Sequence, residues 1–140
     1  MKVLFASDGS ACSERAAEYL VKSLRAQVKQ LEVTLFHVCE PMLERVAAAL
    51  GEERVAEIHR EDAGAALKPV RQRLKRARIA FDEAHTVGHA AHCIAIKATK
   101  GKYDLVLMGS HGRSALKNAL LGSVTARVLA QCTVPVLVTH

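Results

Sequence analysis

Short, almost wholly apolar runs alternate along this chain with longer segments whose apolar residues recur every three or four positions. Residues 2–6 are mostly apolar and the run Leu105-Val106-Leu107-Met108 wholly so, the pattern of strands buried on both faces. Residues 32–38 are rich in β-branched and aromatic side chains and predict a second strand, which Pro41 ends. Phe81 to Val87 predicts a third, with Phe81, Glu83, His85 and Val87 on one face. Val136-Leu137-Val138 predicts the last, after Pro135 stops the preceding helix.

Helical spacing fills the intervals. Ala17, Leu20, Val21, Leu24 and Val28 make one apolar face, behind a turn at Asp8-Gly9-Ser10 in which Ser10 caps and Glu14 sits in the first helical turn. From residue 42 to about 78 the chain is rich in Ala, Glu, Arg and Lys. Leu43, Val46, Ala47 and Leu50 form one stripe there and Leu67, Val70 and Leu74 another. Gly51 and Gly64 are read as interruptions, giving two helical pieces. Gly88 makes a turn into a helix over 90–100, whose last turn carries Lys97 and Lys100. Val124, Val128 and Cys132 mark a final helix. Strands separated by helices of this length build βαβ units and a parallel sheet. No repeat, low-complexity tract or linker divides the chain, so residues 1–140 are expected to form one α/β domain.

The chemistry concentrates where the fourth strand ends. Gly109-Ser110-His111-Gly112 follows that strand, and nine residues later Gly122-Ser123-Val124-Thr125 opens the last helix. Glycines let backbone N–H groups approach an anion, and a helix start leaves its first N–H groups unpaired beside partial positive charge. A glycine after a strand is also an ordinary turn, and Gly-Ser before a helix an ordinary cap. Spacing alone does not separate these readings. The chain has neither G-x-x-x-x-G-K-[ST] nor a G-x-G-x-x-G after a strand.

Gly109-x-x-Gly112, nine residues, then Gly122-Ser123 resembles the nucleotide signature of the universal stress protein family, in its ATP-binding branch. The resemblance extends to Val3-Leu4-Phe5-Ala6-Ser7-Asp8-Gly9-Ser10, to Leu35-Phe36-His37-Val38, and to Cys132-Thr133-Val134-Pro135-Val136-Leu137-Val138. It implies an open, doubly wound, five-stranded parallel sheet of order 3-2-1-4-5, like the adenine-nucleotide alpha-hydrolases. It also implies a homodimer through the last strand. That order reverses direction between the first and fourth strands, and ligands of such sheets bind beyond the strands' carboxyl ends at the reversal. Asp8 and Gly109 fall there.

The resemblance implies that Ala6, Ser7 and Asp8 line the adenosine end and that the main chain of Val38 meets the base. Gly109, Gly112 and Gly122 are expected to admit the triphosphate. Ser123 and Thr125 are expected to donate to phosphate oxygens, Arg113 to neutralise charge, and His111 to touch phosphate or ribose. Met108 and Val124 complete the expected nucleotide-binding set. Asp8 would repel a phosphate, so it is expected to face ribose, adenine or a metal ion, or else to cap the following helix. Thr125 as a solvent-facing residue and Arg113 as an exposed loop residue are the alternatives. Family members can hold a divalent ion on the phosphates, so ATP with Mg or Mn is the expected cofactor.

Composition adds limits. The chain has 140 residues, half of them apolar, and a formal net charge of +6 that suits an anionic ligand without demanding one. No apolar stretch has the length of a membrane span, and the first residues run straight into Asp8, so the cytoplasm is expected. Cys12, Cys39, Cys93 and Cys132 form no C-x-x-C pair and are read as small buried hydrophobes. His85, His89 and His92 cluster near the third strand's exit, where His89 and His92, at i, i+3 on a helix, would ligate a metal only with a third ligand from elsewhere, and no protein metal site is expected. His37, inside a strand, and His140 are set aside. The basic run Arg71 to Arg78 carries Leu74 at core spacing and reads as the solvated face of a helix. With no tryptophan and few aromatic residues, nucleic acid is not an expected partner. The expected function is a nucleotide-responsive stress or signalling module. The alternative is a slow ATPase or autophosphorylating enzyme, for which only Arg113, His111 and hydroxyls offer themselves and no catalytic base is identified.

Overall fold

The computed structural model describes residues 1–113 and 120–140. Its strands are β1 (Lys2–Ala6), β2 (Glu32–Cys39), β3 (Phe81–Val87), β4 (Leu105–Gly109) and β5 (Val136–Thr139). They form one sheet of order β3-β2-β1-β4-β5 in which every pairing is parallel. The helices are α1 (Ala11–Tyr19), α2 (Arg25–Gln27), α3 (Glu44–Leu50), α4 (Glu52–Arg76), α5 (Ala90–Lys100) and α6 (Ser123–Gln131), with a π-helical stretch, Leu20–Leu24, joining α1 to α2.

Strand parity sorts the core into two layers. Val3 and Phe5 of β1, Val33 and Leu35 of β2, and Leu107 of β4 pack with Ala16, Ala17 and Leu20 and with Leu67, Val70 and Leu74 of α4. Leu4, Ala6, Phe36, Val106 and Met108 turn to the other face, against Ala91, Ile94 and Ala98 of α5 and Val128 of α6. The central strands are covered twice, which is why their sequences carry no polar alternation.

Two helical expectations change. Gly51 does separate α3 from α4, but α4 runs unbroken through Gly64 and Pro69. A helical glycine costs about 1 kcal/mol relative to alanine. Burying Leu67, Val70 and Leu74 against the sheet contributes roughly 1.5–3 kcal/mol each and outweighs it. The stripe on α3, by contrast, packs under nothing: Leu43, Val46 and Leu50 are exposed. On the edge strand β3 the face carrying Glu83 is held by Arg71 of α4, whose Nε donates to Glu83 Oε1 at 2.5 Å and whose second terminal nitrogen donates to Oε2 at 2.8 Å. That pair removes Arg71 from the basic run as a free charge.

The same helix gives a two-signed stability prediction, read as the shift in a urea unfolding midpoint. Leu74→Ala, at a fully buried site, lowers stability by about 2–5 kcal/mol. Gly64→Ala, where an added Cβ meets nothing within 4 Å, raises it by roughly 0.4–1 kcal/mol.

Candidate functional site

The chain proceeds from β1 outward to β2 and β3, then crosses to β4 on the other side of β1. Ala6 and Met108 are register partners at the end of the β1–β4 pair. The loops that follow must diverge from that point, because one leads into α1 and the other toward α6. A cleft of about 520 Å³, its open mouth included, lies between them. It is lined by Ala6, Ser7, Asp8, Val38, Met108, Gly109, His111, Gly112, Val124 and Thr125, all expected from the sequence. Arg113, Gly122 and Ser123 lie outside the lining, and part of the segment joining Gly112 to Gly122 falls outside the described residues. Ser13, Phe36, His37, Ala90 and Ile94 also line it. The signal for Ala90 and Ile94 was their place in the first turns of α5, which starts at the same sheet edge. His37 was passed over as an interior strand residue.

Asp8 joins the two loops. Its Oδ1 accepts from the Ser10 N–H at 3.0 Å and the Ser13 hydroxyl at 2.9 Å, and its Oδ2 accepts from the Arg113 N–H at 3.0 Å. Burial pushes its carboxyl up, but hydrogen bonds from Ser10, Ser13 and Arg113 outweigh that and hold it below the ordinary 3.8. The carboxylate therefore braces the turn and reaches across to the glycine loop, rather than standing free toward a ligand. Ser10 takes the expected cap, accepting from the Ser13 N–H at 3.3 Å, and its hydroxyl donates to the His111 carbonyl at 3.2 Å.

The glycines are required by close approaches within the protein. A Cβ on Gly109 would lie 2.6 Å from Cys12 Cβ, and one on Gly112 would lie 2.7 Å from Asp8 Oδ2. A Cβ on Gly122 would stand 3.1 Å from the Ser110 carbonyl, to which the Gly122 N–H also donates at 2.8 Å. Gly109 thus lets β4 and α1 approach closely, Gly122 seats the start of α6 against the Ser110 carbonyl, and Gly112 makes room for the Asp8 carboxylate. Thr125 changes role as well. It is buried, and its hydroxyl donates to the Gly109 carbonyl at 3.1 Å, which fixes α6 on β4 and uses the hydrogen intended for a phosphate oxygen. Arg113 turns its guanidinium toward Asp62, 4.0 Å away.

Gly122 occupies the N-cap position of α6, and among the described residues no side chain caps the first-turn N–H groups of Ser123, Val124 and Thr125. On the opposite wall, Phe36, Ile94 and Met108 supply apolar surface beside the backbone of Val38. One end of the cleft is apolar, and the other presents backbone N–H groups.

A family model described as the universal stress protein family matches residues 1–140. The chain belongs to the universal stress protein family. Universal stress protein Slr1230 of Synechocystis sp. is 31% identical over 136 residues, and the match takes in 97% of this chain but 41% of Slr1230. The chain thus spans about two fifths of that relative's length. Among solved structures, that of hypothetical protein MJ0577 of Methanocaldococcus jannaschii superimposes with a TM-score of 0.78 at 30% identity, over 99% of this chain and 94% of that one. A universal stress protein in complex with cAMP gives 0.73 at 25% identity, over 100% of this chain and 97% of that one. The fold and strand order expected from the sequence are those of this family. Among the described residues no helix is long and apolar enough to cross a membrane.

The bracing role of Asp8 has a pH signature. A carboxyl held low in the folded state contributes stability above its unfolded value, and that contribution disappears as pH falls through the folded value. Asp8→Asn is expected to destabilise the protein at pH 7, with the gap from wild type closing below about pH 3.8 in denaturation curves recorded as a pH series. A gap that stays constant down to acid unfolding would show that the charge does not matter.

Proposed function

We propose that the chain binds an adenine nucleotide, ATP with Mg or Mn, in the cleft between the ends of β1 and β4, and acts as a nucleotide-responsive stress or signalling module in the cytoplasm. One observation carries the reading: the nine-residue helix α6, with no side-chain cap among the described residues, opens onto the polar end of a cleft whose other end is apolar. A helix start of this kind favours phosphate through its unpaired N–H groups and its partial positive charge. The base then lies on Ile94, Met108 and Phe36, beside the main chain of Val38. The structural relative solved with cAMP supports an adenine nucleotide as the class of ligand.

The Asp8 oxygens already accept three hydrogen bonds, so a divalent ion rides on phosphate oxygens and water rather than on this carboxylate. Arg113 exchanges Asp62 for phosphate, which its exposed side chain can do without disturbing the core. The proposed assembly is a homodimer through the edge of β5, where Val136–Thr139 pairs only with β4 among the described residues.

Thermal unfolding with increasing Mg-ATP tests the binding, because a ligand held only by the folded state raises the melting temperature. Val124→Glu is expected to fold normally, since an acidic residue suits the first turn of a helix. It places a like charge at the phosphates and should weaken binding at least tenfold, about 1.4 kcal/mol. No melting shift of the wild type at millimolar Mg-ATP would remove the proposal. Gel filtration at micromolar concentration is expected to give the dimer's size, and a monomer there would remove the β5 assembly alone.

A further inference from the structure

At the carboxyl end of β2 the core stripe changes chemistry. Val33 and Leu35 face the apolar residues of α4, and the next two positions of the same face are His37 and Cys39, opposite Asp62 on that helix. His37 is 4% exposed and Cys39 1%. The imidazole Nδ1 lies 2.8 Å from the Ser7 carbonyl, which only accepts, so Nδ1 carries the hydrogen and the ring's other nitrogen is left with its lone pair in the neutral form. That nitrogen, Nε2, stands 3.3 Å from Asp62 Oδ2, another acceptor. Two acceptors face each other at that distance with a proton between them, on the ring or on the carboxyl, or with a metal ion.

A third group supplies the further donor that a metal ion takes. One ligand atom from each of His37, Cys39 and Asp62 lies within 4.8 Å of the others. A tetrahedral zinc-type ion with bonds of about 2.0–2.3 Å has ligand–ligand edges of roughly 3.3–3.7 Å. The His37–Asp62 separation already has that length, and Cys39 Sγ needs to close by about one ångström at most, giving up its contact with the His59 carbonyl at 3.4 Å. The Ser7 carbonyl already fixes the ring, as the orienting partners of zinc-bound histidines do. We propose that His37, Cys39 and Asp62 form a binding site for a thiophilic divalent cation of the zinc class, at the edge of the cleft and separate from any ion on the phosphates. A nitrogen, a sulfur and a single carboxylate disfavour Mg2+ and Ca2+, which take oxygen donors.

Three protein donors leave the fourth position for water or a ligand. Binding converts the Cys39 thiol to thiolate and releases its proton to solvent. The opposing charge is Arg113, whose guanidinium is 4.0 Å from Asp62 Oδ1 and 62% exposed, so it swings into water when a cation arrives.

Co2+ titration of the nucleotide-free protein tests the site without depending on the nucleotide proposal. Expected are one Co2+ per chain, a near-ultraviolet sulfur-to-cobalt charge-transfer band with visible bands of tetrahedral intensity, and displacement by Zn2+ but not by millimolar Mg2+. Cys39→Ser should lose the charge-transfer band. Asp62→Asn, at a half-exposed helix position that tolerates the change in folding, should bind at least tenfold more weakly. Absence of the charge-transfer band in the wild type, its survival in Cys39→Ser, or unaltered affinity in Asp62→Asn would each overturn the assignment.

Discussion

The parallel pairing of β1 with β4 is the constraint from which the rest of the molecule follows. Val3 to Ala6 and Val106 to Met108 are buried on both sides, so the two strands are locked side by side by the core above and below them. Their following loops, however, head in opposite directions across the sheet. Backbone that leaves a sheet in two directions cannot cover the strand ends, and the exposed ends become a cleft. Asp8 then bridges the gap. An apolar residue in its place would leave the Arg113 N–H and the Ser13 hydroxyl without this acceptor, and of these side-chain ties between the walls the Ser10 hydroxyl to the His111 carbonyl would remain.

Periodicity made the sheet legible. Continuous apolar runs separated by helical faces admit few arrangements other than a parallel sheet covered on both sides, and the structure shows that sheet with the boundaries of β3 and α5 where the sequence put them. Local rules failed where burial overrode them. Gly64 breaks helices in isolation, but its neighbours Ala63, Ala66 and Leu67 are held on the sheet and carry it through. The reverse held for α3, whose apolar stripe satisfies helical spacing yet meets no second layer. The π-helical stretch from Leu20 to Leu24 has no signal in residue type; it places both of those leucines in the core.

The candidate site was legible in outline for a similar reason. The glycine spacing marked where β4 ends and α6 begins, and the topology brought Asp8 beside it. What a one-dimensional pattern does not carry is which side of a glycine the missing side chain would occupy. In Gly109, Gly112 and Gly122 that side faces Cys12, Asp8 and Ser110 respectively. Motif residues and contact residues are therefore different sets. Ile94 and Phe36 form the apolar wall without belonging to any glycine motif, while Gly122 belongs to the motif and shapes the loop from behind.

His37 shows the same principle from the other direction. Read along the chain, a histidine within Leu35-Phe36-His37-Val38 is a polar intrusion into a strand. Read across the sheet, it stands where the layer formed by β2 and α4 runs out of large apolar residues, since Ala63 and Ala66 are small and Asp62 and His59 follow toward the strand's end. A polar group buried at such a place needs a fixed partner on each nitrogen, because an unpaired one costs about 1–3 kcal/mol. Ser7 supplies the first from the cleft's own wall, so the orientation of the ring is set by the loop that also carries Asp8. The second partner lies on α4, a different element. The ring consequently joins the nucleotide-cleft loop to the helix beneath it, and any cation taken up between His37 and Asp62 acts on that loop through one rigid imidazole.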